Sequence, residues 1–140
     1  MSRRRPASWL LCAYYGFLLL ATALAYGLPY PLFGVMLPGR TAQAAVIVDC
    51  LVLVHLLVGI WKGQRLTWYL LLGYNAFNLA SLGLSLAVLS PDELLPLVGE
   101  ISSLRAFYGG AAVSAAAMVA ITIYTIRLRP YFDDPNPFLF

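Results

Sequence analysis

The sequence predicts an all-α integral membrane protein with four transmembrane helices. Of its 140 residues, 61% are hydrophobic and only 11% are charged, whereas a soluble domain averages about 45–50% apolar and about 25% charged residues. The apolar residues also form uninterrupted runs, such as residues 51–54, and do not alternate with polar residues as the strands of a membrane barrel do. The same composition excludes intrinsic disorder, because disordered chains are rich in charge and poor in apolar residues.

Long intervals with little or no charge locate the four helices. No Lys, Arg, Asp or Glu occurs in residues 6–39, 66–91 or 106–126, and residues 41–61 carry only Asp49 and His55. A helix needs about 20 mostly apolar residues to cross about 30 Å of hydrocarbon. We therefore expect one transmembrane domain over residues 1–140, with helices at about 8–26, 42–61, 66–89 and 103–126 and a short tail at 127–140.

The first helix has an alternative interpretation. Three arginines, an apolar run and then Ala23-Leu24-Ala25 are typical of a secretory signal peptide with a small-residue cleavage site. Its removal would leave three spans. Residues 9–21 resemble the start of the third helix, which favours a retained helix.

That resemblance also suggests two tandem helical hairpins. A shift of 59 residues aligns Trp9 with Trp68 and Tyr15 with Tyr74, and parallel repeats of this kind occur in some transporters. The alternative is chance agreement between two segments rich in Leu and Ala.

The basic residues predict the orientation, because Lys and Arg are retained on the cytoplasmic side of a membrane. Seven of the nine lie on the side of both termini, and Arg40 and Arg105 lie on the other side. We therefore expect both termini to be cytoplasmic, in the inner cell membrane of a bacterium. The net charge of +3 then reflects topology, so the partner is the lipid bilayer and not nucleic acid.

The two external loops differ in character. Residues 27–39 are uncharged and contain three prolines, so we expect them to lie in the membrane interface or against another subunit. The second loop opens with Ser90-Pro91-Asp92-Glu93, which combines an N-cap, a proline at the first helical position and a capping-box glutamate. It predicts a short external interfacial helix to about Val98. The aromatic end of the tail, residues 138–140, suggests docking on a partner or on the membrane, with a frayed terminus as the alternative.

Two ionisable residues fall within the predicted second helix, where such groups suggest function. Asp49 lies about 10 Å from its external end, at a depth comparable to that of Arg105. We expect a structural ion pair between them; the alternatives are a carboxylate that reaches water and a role in transport or proton relay. His55 is expected to be a hydrogen-bonded structural residue, with haem ligation as a weak alternative that needs a second ligand from elsewhere.

The third helix carries a polar stripe. At 100° per residue its hydroxyl and amide groups fall within a narrow arc, which should face protein or a wet cavity because lipid cannot satisfy them. The stripe indicates interhelical hydrogen bonds or, alternatively, a path for a small solute. Its candidate site residues are Tyr74, Asn75, Asn78, Ser81 and Ser85, together with Asp49.

The fourth helix is rich in small residues. Gly109, Gly110 and Ser114 would let another helix approach closely, which predicts a central packing position or an oligomer seam.

No pattern predicts catalysis. The chain has no Cys-x-x-Cys, no cluster of His, Cys and carboxylates for a metal, no glycine-rich phosphate loop and no nucleophile with an evident base. We therefore expect no catalytic residues, no cofactor and no metal. The sequence favours a non-catalytic accessory, assembly or scaffold subunit of a larger membrane complex, which would contact other membrane subunits or itself. The alternative is an oligomeric transporter or channel for a small solute or lipid.

Overall fold

The computed structural model describes residues 5–98 and 103–135, and it is mostly helical. The elements in chain order are α1 (Arg5–Leu24), β1 (Tyr30–Leu32), β2 (Val35–Leu37), α2 (Gly39–Lys62), α3 (Arg65–Val88), α4 (Pro91–Val98), α5 (Leu104–Arg127) and a 3-10 turn (Arg129–Tyr131). The aromatic end of the tail, which was predicted to dock on a partner or on the membrane, lies outside the described residues.

Three of the helices are long and apolar enough to cross a membrane, and they coincide with three of the four helices expected from the sequence. α2, α3 and α5 each have 24 residues, or about 36 Å of helix. The apolar part of α1, Ser8–Leu24, is shorter.

The helices pack in pairs around a small core. α1 packs mainly against α2, and α3 packs mainly against α5, while α2 and α3 touch less extensively. The core lies in the half of the structure nearest to the α2–α3 turn and includes fully buried Leu11, Leu53, Leu56 and Leu71.

α2 and α3 approach each other closely beside their connecting turn. A Cβ atom on Gly59 would overlap the side chain of Thr67, so only glycine lets the two helices pack in this way. α2 ends at Gly63, which adopts the left-handed conformation (φ 67°) and donates its N–H back to the helix. Glycine at this position is a common helix terminator.

The apolar segment between α1 and α2 forms a β-hairpin, which an all-α prediction does not contain. Its two strands pair antiparallel, with Tyr30 opposite Leu37 and Leu32 opposite Val35. Phe33 and Gly34 make the turn, and both have positive φ (47° and 78°), as a two-residue turn of type I′ requires. The hairpin is held on α3, as described below.

The tail folds back on the α2–α3 turn. Phe132 is buried, and the Asp134 backbone exchanges hydrogen bonds with Gly63 and Arg65. The Tyr131 hydroxyl donates to the Ile60 carbonyl at 3.1 Å. The first part of the tail is therefore anchored on this chain itself.

The predicted capping box is confirmed at the start of α4. The Ser90 N–H donates to the Glu93 carboxylate at 2.8 Å, and the Glu93 N–H donates back to the Ser90 hydroxyl at 3.4 Å. The backbone and side-chain hydrogen bonds from Ser90 lower the pKa of Glu93. The described part of this helix runs to Val98, and its predicted end falls at the edge of the described residues.

Candidate functional site

A large groove opens on the side of the molecule where α2 and α3 diverge. The α2–α3 contact at Gly59 and Thr67 lies beyond one end of the groove, and the hairpin lines its other end. The volume is about 850 Å³. The walls are mostly aliphatic and aromatic, and their polar side chains come from Tyr30, Asp49, His55, Tyr69 and Tyr74.

Asp49 supplies the negative charge of this groove. It is the eleventh residue of α2, about 15 Å from the start of that helix. The Tyr74 hydroxyl donates to its Oδ1 at 2.9 Å, and the Thr22 hydroxyl donates to its Oδ2 at 3.3 Å. The carboxylate therefore joins α1, α2 and α3 through neutral hydroxyl donors.

Tyr30 of the hairpin lies against the same carboxylate. Burial raises the pKa of the Tyr30 phenol to about 12, and the charge of Asp49 and a hydrogen bond to it contribute to the rise. The phenol therefore stays protonated at neutral pH and remains a hydrogen-bond donor.

The ion pair expected between Asp49 and Arg105 does not form. Asp49 is hydrogen-bonded to Tyr74 and Thr22 instead, and Arg65 forms a surface salt bridge with Asp133 at 3.4 Å. Arg105 is exposed on α5, which packs on α3. Equal depth on two helices was a poor guide because it ignores which faces of the helices meet.

A second polar group lies deeper in the bundle. The Tyr15 hydroxyl donates to Asn75 Oδ1 at 2.9 Å, and Asn75 Nδ2 donates to the Thr122 hydroxyl at 3.0 Å. Tyr15 and Asn75 have no exposed surface. This relay joins α1, α3 and α5, and its members are bonded to one another rather than open to the groove.

The rest of the polar stripe is used locally. Asn78 donates to the Tyr74 carbonyl of its own helix at 2.9 Å. The Ser81 and Ser85 hydroxyls accept the N–H groups of Phe33 and Gly34, each at 3.1 Å. The stripe is therefore divided among separate bonded groups, and two of its members anchor the hairpin tip.

The other predicted residues stand apart from these networks. His55 is half-buried and lines the groove. Among the described residues, no three His, Cys, Asp or Glu side chains are close enough to hold a metal. Gly109, Gly110 and Ser114 are exposed on α5, and a Cβ atom on either glycine would meet nothing within 4 Å.

Sequence reasoning missed two side chains that complete the site, Thr22 and Tyr30. Each is a hydroxyl in an apolar segment, which was the available signal, but Asp49 lies 27 residues away from Thr22 in the sequence. Comparison with protein-family models, curated proteins and solved structures found no match to this chain.

Proposed function

We propose that this chain is a non-catalytic membrane protein with four spans, in which α1 is the fourth. Seventeen residues is the lower limit for a transmembrane helix, and Ser8–Leu24 meets it. The pairing of α1 with α2 and of α3 with α5 supports two tandem hairpins. The excess of basic residues beside both termini supports cytoplasmic ends, in the inner membrane of a bacterium.

We propose that it works as an accessory subunit of a larger membrane complex. The supporting observation is the unpacked first half of α5. From Arg105 to Ala117 no side chain is buried, and most are exposed. A helix surface of Gly, Ala and Ser is suited to close packing against another helix, because small residues let backbones approach.

Purification in a mild detergent followed by mass spectrometry tests this function. We expect other membrane proteins to copurify in fixed stoichiometry. We expect Gly110→Leu to reduce their recovery, because the added side chain would hold a partner helix away. Gly83→Leu on α3 is the matched control, since that glycine is also exposed with nothing within 4 Å.

Two results would count against the subunit role. One is a pure monomer or homo-oligomer from the native membrane. The other is equal partner recovery with both leucine variants.

The second candidate function is transport of a small solute or lipid by an oligomer. It is favoured by the carboxylate of Asp49, which lines a large groove near the middle of two long apolar helices. Flux into liposomes tests it, with Asp49→Asn expected to abolish flux and Asn78→Leu to reduce it. Unchanged flux in both variants would exclude these residues from the mechanism.

A further inference from the structure

We propose that the groove between α2, α3 and the hairpin binds a lipophilic monovalent cation, with Asp49 as its counter-ion. The ligand class is a quaternary ammonium, a phosphonium or a protonated amine that carries bulky apolar groups. This inference deepens the second candidate function by naming its ligand class, but binding does not require that the ligand be transported.

The charge of the groove selects a cation. Among the residues that the structure describes, Asp49 is the one acidic residue that lines the groove, and no Lys or Arg lines it. The groups that hydrogen-bond to its carboxylate are the neutral hydroxyls of Tyr74, Thr22 and Tyr30, which leave its formal charge unbalanced. In a medium of low dielectric, an opposite charge a few ångströms away is attracted far more strongly than in water.

The aromatic lining selects the same class. Tyr30, Tyr69, Tyr74 and Phe77 all line the groove around the acid. The faces of aromatic rings attract cations, and aromatic cages bind quaternary ammonium groups in this way. Such cations form few hydrogen bonds, so they lose little by leaving water.

The volume and the apolar walls of the groove indicate what surrounds the charge of the ligand. The volume of about 850 Å³ lies within the range of about 300–1,000 Å³ for small-molecule sites. The aliphatic walls include Leu51, Val52 and Leu70, which are exposed on the surface of the structure. A small hydrated cation would leave these walls unfilled, whereas apolar substituents would cover them.

Equilibrium binding of radiolabelled tetraphenylphosphonium tests the proposal. The full chain is placed in nanodiscs of zwitterionic phosphatidylcholine, which removes attraction of the probe to anionic lipid. We expect saturable binding that Asp49→Asn weakens at least tenfold and Asp49→Glu partly retains. Asp133→Asn, at an exposed acid outside the groove, is the matched control and should bind as the wild type does.

A second variant keeps the test valid if loss of Asp49 disturbs folding. Val52→Trp fills the groove without changing its charge and should abolish binding. Val113→Trp makes the same substitution at an exposed position on α5 and should leave binding intact. Circular dichroism and gel filtration establish that each variant is folded.

The outcomes separate the proposal from its alternatives. Equal binding by the folded wild type and the folded Asp49→Asn variant would overturn it. So would equal competition by tetraphenylmethane, the neutral analogue of the probe, because the groove would then accept any apolar molecule, including a lipid chain. Binding of tetraphenylphosphonium without flux would uphold the proposal and refute transport. Solute flux without tetraphenylphosphonium binding would uphold transport and refute the proposal.

Discussion

Replacing Asn75 with alanine should destabilise the helix bundle more than any other single amide change on α3. Asn75 holds one hydrogen bond to Tyr15 and one to Thr122. At about 0.6 kcal/mol for each interhelical bond in a membrane protein, their loss costs about 1.2 kcal/mol. The Tyr15 hydroxyl has no exposed surface, and stranding it without an acceptor adds about 1–3 kcal/mol. The expected total is about 2–4 kcal/mol.

Asn78→Ala is the matched control for this change. Asn78 lies on the same helix, and its amide bonds to Tyr74 of that helix. It joins no second element, so its loss should cost less than about 0.6 kcal/mol, the value of one interhelical bond. Reversible unfolding in mixed detergent micelles, followed by tryptophan fluorescence, gives both values.

A double-mutant cycle isolates the stranded hydroxyl. Adding Tyr15→Phe to Asn75→Ala removes the unpaired group, so the double variant should be more stable than the sum of the single effects predicts, by about 1 kcal/mol or more. Equal costs at positions 75 and 78, or strict additivity in the cycle, would refute the relay between α1, α3 and α5.

Three further changes test other parts of the fold. Gly59→Ala should lower the free energy of unfolding by about 1–3 kcal/mol, because its Cβ atom would overlap α3. Gly16→Ala, whose Cβ atom would meet nothing within 4 Å, should raise the free energy of unfolding by up to about 1 kcal/mol through helix propensity. Equal effects of the two changes in the same unfolding assay would contradict the close contact. Hydrogen bonds from Ser90 lower the pKa of Glu93 in the folded protein. The Glu93 carboxylate therefore stabilises α4 at pH values above its pKa in the unfolded chain, and this contribution is lost as the pH falls through its pKa in the folded protein. The protection factors of the α4 amides, which correct for the intrinsic slowing of exchange in acid, should therefore fall in acid, and a Glu93→Gln variant that kept the same pH dependence would disprove the assignment. Phe132→Ala should lower the free energy of unfolding by about 3 kcal/mol, because the ring is buried on the α2–α3 turn. A decrease below about 1 kcal/mol would show that the tail is not part of the core.

Local signals in the sequence predicted much of the helical structure. Three long helices follow from apolar runs with little or no charge, because a membrane span must be predominantly apolar over about 20 residues. The start of α4 follows from Ser90, Pro91 and Glu93, which act on one another within one helical turn. Such features depend on neighbours in the chain and are readable without the fold.

The hairpin had no comparable signal. Its turn is Phe33-Gly34, and two-residue turns of this type normally carry Asn or Asp before the glycine. The left-handed Phe33 is held instead by contacts from α3: Ser81 accepts its N–H at 3.1 Å, and its ring packs on Phe77 with the centroids 4.9 Å apart. Those partners lie more than 40 residues further along the chain.

The site was only partly predictable for the same reason. The sequence showed that Asp49 needs compensation, but its donors Thr22 and Tyr74 come from two other helices. Asn75 was predicted as a member of the polar stripe, yet its burial depends on how α1 and α5 pack beside α3. Helical periodicity gives the face of a residue on its own helix and does not give the neighbour that meets this face.

The anchoring of the hairpin also constrains the order in which the protein assembles. Ribosomes make the turn at Phe33 and Gly34 well before Ser81 and Ser85, which follow 48 and 51 residues later. A buried backbone N–H without a partner costs free energy comparable to a lost hydrogen bond, so the turn cannot take its final position before Ser81 and Ser85 of α3 have been made. Seating of the hairpin therefore follows synthesis of α3, and this wall of the groove is completed only after the helices that form its sides.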